Sequence, residues 1–160
     1  MTDYSLDTNT ISQIYRFYYK DRFPSFWLKF NALVSSGRAS SVSEVEAELV
    51  GRSGLAPAVQ ELKQLSRGFF SLPSAEEQEF VAQVFRVPHF RNLISAKALT
   101  KGTPVADPFI IAKAGATPGM CVVTEESRRP NAANIPNACD YFGIECINLE
   151  QLMEREDWRF

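Results

Sequence analysis

The sequence predicts an α/β fold of three layers: a mostly parallel central sheet with helices on both faces. Three observations carry this reading. Short apolar runs alternate with segments of helical spacing along the chain. The clearest of the short runs, Met120–Thr124, is continuously apolar, as a strand buried on both faces should be. Acids also stand where such runs end, at Asp7 and at Glu125 and Glu126, and a further acid, Asp107, opens a helix. In open α/β sheets that edge is where ligands bind.

The elements follow in order. Tyr4–Leu6 reads as a short strand. Asn9 to about Tyr19 reads as a helix, with Ile11, Ile14, Tyr15 and Tyr18 at helical spacing, broken by Pro24. Ser25 is a candidate cap for a second helix carrying Phe26, Trp27, Phe30, Leu33 and Val34, ending before Gly37. Ala39–Val42 is a weakly signalled strand. A helix runs from Ser43 to about Leu49, with Ser43 and Glu46 in capping-box spacing. Helices are expected at Ala58–Leu65, Ala75–Phe85, Leu93–Leu99 and Asp107–Ala114, with a turn at Lys101–Pro104. Met120–Thr124 is a strand, Ser127–Asn134 a mobile loop, and Pro136–Phe142 a helix closed by Gly143. Glu145–Ile147 is the last strand and Leu149–Glu156 the last helix. This alternation requires right-handed crossovers.

Size and composition narrow the function. The 160 residues favour a single domain, residues 1–160, large enough to bury a core without staples. Hydrophobic residues make up 45% and charged residues 22%, an ordinary globular balance. A formal net charge of -2 excludes a general polyanion binder, so nucleic-acid contact requires a local basic patch or a bound metal. No apolar run approaches a membrane span, and the N-terminus lacks a signal-like segment. Cys121, Cys139 and Cys146 are odd in number and form no CxxC pair, which fits a reducing, cytoplasmic location. With His89 the single histidine, zinc sites of the Cys/His type and histidine triads are poorly supported. No glycine-rich phosphate loop is present.

The carboxylates remain. Asp7 and Asp107 each also suit helix capping, Asp107 with Pro108 behind it. Val45 and Leu49 define the core face of their helix, and Glu48 flanks that face. Glu125 and Glu126 follow the buried strand beside Thr124, and spacing does not choose between them. Two unit charges of like sign 4 Å apart repel by about 4 kcal/mol at an effective dielectric of about 20. A converging set therefore needs protonation, a basic partner or a cation, and oxygen-only ligands select Mg²⁺ or Mn²⁺. Such sites commonly process phosphates. Arg128 and Arg129 are candidates to grip substrate phosphates, and Arg86, Arg91, Lys97 and Lys101 to extend a basic rim. His89, Trp27 and Phe30 read as structural. Tyr15, Phe17 and Tyr18 suit either core or a homodimer face.

The order of these segments resembles a PIN domain, the fold of metal-dependent ribonucleases that includes the VapC toxins. Leu6-Asp7-Thr8-Asn9 resembles the family's opening acid motif, and Glu48-Leu49 its helix acid. Ala106-Asp107-Pro108-Phe109-Ile110-Ile111-Ala112 resembles the central motif, and Val122-Val123-Thr124-Glu125-Glu126 the fourth. Phe23-Pro24-Ser25-Phe26-Trp27, Ile135–Gly143 and Trp158-Arg159-Phe160 resemble a bacterial PIN-like subfamily of toxin–antitoxin type. In the fourth motif Glu replaces the usual Asp; Glu126 falls on the usual register, with Glu125 its neighbour. The resemblance implies a Mg²⁺- or Mn²⁺-dependent endoribonuclease, the toxin partner of a cognate antitoxin. Asp7, Glu48, Asp107 and Glu126 would hold metal, Glu125 would stand as the alternative fourth acid, and Asn9 and Thr124 would support them. A non-catalytic PIN-like binding module and a metal-dependent phosphatase are the competing readings; the Asp-x-Asp motif often used by phosphatases is absent.

Overall fold

The computed structural model describes residues 1–94 and 105–160. Five strands form an all-parallel sheet: β1 (Tyr4–Leu6), β2 (Ala39–Val42), β3 (Phe70–Ser71), β4 (Cys121–Val123) and β5 (Cys146–Ile147), in the order β3-β2-β1-β4-β5. Tyr4 aligns with both Ala39 and Cys121, which sets the register on either side of β1. The chain grows outward from β1 to β3, then crosses back to β4 beside β1. The order therefore reverses between β1 and β4, the position outside whose carboxyl ends open α/β sheets bind ligands.

Helices α1 (Thr8–Phe17), α2 (Pro24–Ser35), α3 (Ser43–Val50) and α4 (Ala56–Leu65) serve the β1–β2–β3 half. Helices α5 (Ala75–Arg86), α6 (Asp107–Ala116) and α7 (Ile135–Phe142) pack against one another. Right-handed crossovers put the two groups on opposite faces of the sheet. Helix α8 (Leu149–Arg155) closes the chain. Tyr4 and Leu6 in β1 and all of β4 are buried, as expected of central parallel strands. Their buried serines are satisfied by backbone: Ser41 Oγ donates to the Leu6 carbonyl (2.7 Å) and Ser5 Oγ to that of Ile110 (3.4 Å). Near the amino ends of the strands, the Tyr4 hydroxyl and the Arg38 guanidinium both donate to Glu156, tying the C-terminal segment to the sheet.

Several expectations are corrected. Strand β3 carries no sequence signal, because its two residues are too few to show alternation. It is held by pairing with β2 and by the buried Lys113 of α6, whose ammonium donates to Ser71 Oγ at 2.7 Å. Pro24 begins α2 rather than merely ending α1, and Phe23, not Ser25, occupies the cap position, without a side-chain bond. The Ser43–Glu46 capping box does not form. Ser43 is already helical and donates to Glu44 (3.1 Å), while Glu46 pairs with Lys63 (3.0 Å). The boxes that do form are Ser74 with Glu77 on α5 and Asn148 with Gln151 on α8. Gly143 closes α7 as predicted, and does so in the left-handed conformation. Residues Pro88–Leu93 form a 3-10 turn; the expected Leu93–Leu99 helix beyond Ile94 and the Lys101–Pro104 turn lie outside the described residues. The loop after β4 is fastened by Asn134 Nδ2 to the Ser127 carbonyl (2.8 Å) and Asn137 Nδ2 to that of Arg129 (2.6 Å). Among the described residues no helix is long and apolar enough to cross a membrane. The three cysteines are free and buried.

Candidate metal centre

Asp7 follows β1 directly and caps α1. One carboxylate oxygen accepts the Thr8 amide (2.7 Å) and the other the Thr124 hydroxyl (2.8 Å), so β1 and β4 are joined through this side chain. Asp7 thus caps α1 with a side chain that also ties the two central strands together. Asp7 is only 3% exposed. Burial pushes its carboxyl up to about 7, with the charges of Glu126 and Glu48 acting in the same direction against the Thr124 and Thr8 bonds.

Asp107 does not take the capping role that its sequence position suits. Instead Ala106 holds the cap position and Asp107 is the first helical residue, followed by Pro108. Its carboxylate is thereby left for other work. Burial pushes it up to about 8, and Asp7, Glu126 and Glu48 add repulsion. Glu48 bridges two segments: one oxygen accepts from the Thr8 hydroxyl and the other from the Ala106 amide (3.1 Å). That bond anchors the start of α6 beside α3.

The two candidates for the fourth acid make different contacts. The Glu126 amide donates to Thr124 Oγ1 (3.2 Å), one carboxylate oxygen accepts the Ile135 amide at the start of α7 (2.9 Å), and its charge acts on both Asp7 and Asp107. Glu125 turns the other way, to the Leu149 amide at the start of α8 (2.9 Å), and acts electrostatically on Tyr18. Asn9 Oδ1 accepts from the Glu125 amide (3.1 Å) and from Thr124 Oγ1 (3.3 Å), fixing this loop against α1. Arg128 is clamped bidentately on Asp140 (2.8 and 3.1 Å), and Arg129 is exposed. Arg86 pairs with Glu79, and Lys97 and Lys101 lie outside the described residues.

Asp7, Glu48, Asp107 and Glu126 therefore share one electrostatic neighbourhood at the switch point, and among the described residues no cation is named among the charges acting on the two aspartates. As a donor set, four carboxylates suit a hard divalent ion. Their side chains do not close around a common point: among the described residues no three His, Cys, Asp or Glu side chains are arranged to hold an ion. Thr8 is the participant that sequence reasoning missed. Its amide serves Asp7 and its hydroxyl serves Glu48. A hydroxyl directly after a strand-end acid was the available signal.

A family model described as "Domain of unknown function (DUF4411)" matches residues 4–160. No curated protein matches the chain. Among solved structures, the DNA-bound VapBC from Salmonella typhimurium is similar at 22% identity and TM-score 0.51, over 92% of this chain and 98% of that one. VapBC2 from Rickettsia felis bound to a promoter DNA fragment is similar at 17% identity and TM-score 0.48, with the same coverage. The first likeness shows the fold alone, a parallel sheet covered by helices as expected from the sequence.

Proposed function

The chain belongs to the DUF4411 family, and from that premise we propose that it is a metal-dependent endoribonuclease, the toxin of a toxin–antitoxin pair, built as one PIN-like domain over residues 1–160. One observation carries the reading. The buried Asp7 and the half-buried Asp107 at the switch point of a parallel sheet repel one another, and Glu48 and Glu126 add to that repulsion. A divalent cation offsets such a charge. Asp7, Glu48, Asp107 and Glu126 are the residues that would hold Mg²⁺ or Mn²⁺. When bound, such an ion activates water and stabilises charge on a phosphodiester. The protein's own contribution is to fix the carboxylates: Thr124 and Thr8 orient Asp7, Thr8 and the Ala106 amide orient Glu48, and Asn9 holds the loop bearing Glu126. No protein nucleophile is required.

The similar Salmonella structure is a VapBC complex on DNA, which supports a cognate antitoxin as partner and a cytoplasmic setting. A second copy of the chain is a further candidate partner. Of the aromatic residues considered for that face, Phe17 is exposed, whereas Tyr15 and Tyr18 pack on Trp27 and Phe26.

The test is cleavage of single-stranded RNA with Mg²⁺ or Mn²⁺ by wild type, Asp7→Asn and Asp107→Asn. Wild type should cleave and both variants should lose at least about a hundredfold in rate, on the order of 3 kcal/mol of barrier. Equal cleavage by all three would refute the assignment. A second reading, a non-catalytic binding module, is favoured by one observation: both Glu48 oxygens and one of Glu126 are already engaged by the protein. Titration calorimetry with Mn²⁺ separates the two, since a module would take up no ion.

A further inference from the structure

Helices α1 and α3 lie side by side, and α1 is joined to α3 and to the turn that follows it by three rungs. The first is Thr8 to Glu48. In the second, Arg52 Nη1 donates to Ser12 Oγ at 3.0 Å. In the third, Arg16 Nη2 donates to the Ser53 carbonyl at 3.3 Å. Thr8, Ser12 and Arg16 are each four residues apart on one face of α1, about 6 Å per step, while Glu48 faces them from α3 and Arg52 from the turn after it. The seam thus passes from a carboxylate at the candidate metal centre to two guanidinium groups within about 12 Å.

Those two arginines differ from the seven cations that are ion-paired among the described residues. Lys20, Arg38, Lys63, Arg86, Arg128, Arg155 and Arg159 each have a carboxylate within 4.0 Å. Among the described residues Arg16 and Arg52 have none. Both are exposed, and their hydrogen-bond partners are a neutral hydroxyl and a neutral carbonyl. Each guanidinium is held in place yet keeps its charge and N–H groups free, in the fork geometry that suits phosphate. A polyanion reaching the candidate centre meets four carboxylates. A bound metal attracts one phosphate, but its neighbours need positive charge of their own.

We propose that Arg16 and Arg52 form a phosphate-gripping row that leads the backbone of a single-stranded RNA away from the carboxylate cluster along the α1–α3 seam. This rests on the ribonuclease reading above. The spacing of one helical turn per rung suits successive phosphates of an extended strand. Because the contacts are ionic, they act through affinity rather than through the chemical step.

The experiment measures kcat/KM for a labelled single-stranded RNA with Mn²⁺ over a series of KCl concentrations. It compares wild type, the double variant Arg16→Gln/Arg52→Gln, and the control Lys29→Gln/Arg67→Gln. The control removes the same charge: Lys29 lines a groove with Met1 and Arg38, and Arg67 precedes β3, both towards the amino edge of the sheet. Each lost phosphate contact on a single strand lowers the salt slope by about 0.7, so the double variant should lose about 1.4. Its KM should rise roughly tenfold at 0.1 M salt with kcat little changed, and the control should match wild type. If wild type cleaves and the double variant matches it in KM and slope, the row is wrong and the ribonuclease reading stands. Equal losses in both double variants also overturn the row, as a general charge effect. If wild type does not cleave RNA, both readings fall.

Discussion

Replacing Asp7 by Asn should stabilise the metal-free protein, by an amount that grows with pH. The side chain is 3% exposed, and its carboxyl is raised from an ordinary value of 3.8 to about 7, chiefly by burial. That rise corresponds to roughly 4 kcal/mol at about 1.36 kcal/mol per pH unit. The native state holds this proton more tightly than the unfolded chain does. Its contribution is therefore complete below pH 3.8 and declines until the pH passes about 7, where ionised Asp7 is buried at full cost. Asn keeps an acceptor for the Thr8 amide, but the Thr124 hydroxyl loses an ionised acceptor at a cost of about 1 kcal/mol. The net gain is about 3 kcal/mol at pH 8 and under about 1 kcal/mol at pH 5. For a chain of this size the pH 8 gain raises Tm by roughly 9 °C. Thermal or urea unfolding in EDTA at the two pH values measures it. A variant no more stable than wild type at pH 8, or a gain equal at both pH values, would refute the electrostatic account of the site.

The two glutamates after β4 should separate cleanly. Glu126→Gln should lower metal-dependent RNA cleavage by roughly a hundredfold or more, whereas Glu125→Gln should keep activity within a few-fold and cost about 1 kcal/mol through the weakened start of α8; rates and urea midpoints decide it. Ser74→Ala should cost about 1 kcal/mol by opening the capping box of α5, and Ser43→Ala should stay within about 0.5 kcal/mol because no box exists there; paired denaturation curves test this.

The fold was legible where one signal dominated. The unbroken apolar run before Thr124 and the acid behind Leu6 identified the two central strands, because strands buried on both faces tolerate little else. The helices were legible from spacing, apart from their ends. Ser43-x-x-Glu46 has the right letters, but the chain is already helical at Ser43, and Lys63 on α4 claims Glu46. A local pattern yielded there to a tertiary partner. Strand β3 was illegible because Ser41, Val42 and Lys113, all remote in sequence, are what make Phe70–Ser71 a strand. The Arg16–Arg52 row was illegible for the same reason, since it exists only once α1 lies beside α3.

The two candidates for the fourth acid differ in their contacts, which spacing alone did not show. Glu125 and Glu126 are adjacent, chemically identical and both placed after a buried strand. Their backbones are held by different partners, Asn9 for one amide and Thr124 for the next, and this sends the side chains to opposite sides. Each then reaches the first amide of a different helix, α8 or α7, where the helix dipole favours a negative charge. Only Glu126 does so while still acting on Asp7 and Asp107, with its second oxygen uncommitted among the described residues. Spanning from the loop to the Ile135 amide while facing the cluster takes a long side chain. An Asp one methylene shorter would have to give up one of the two. The Glu in the fourth motif is thus consistent with a fold in which this carboxylate both anchors α7 and serves the centre, so replacing it by Asp should weaken the anchor even where a carboxylate is preserved.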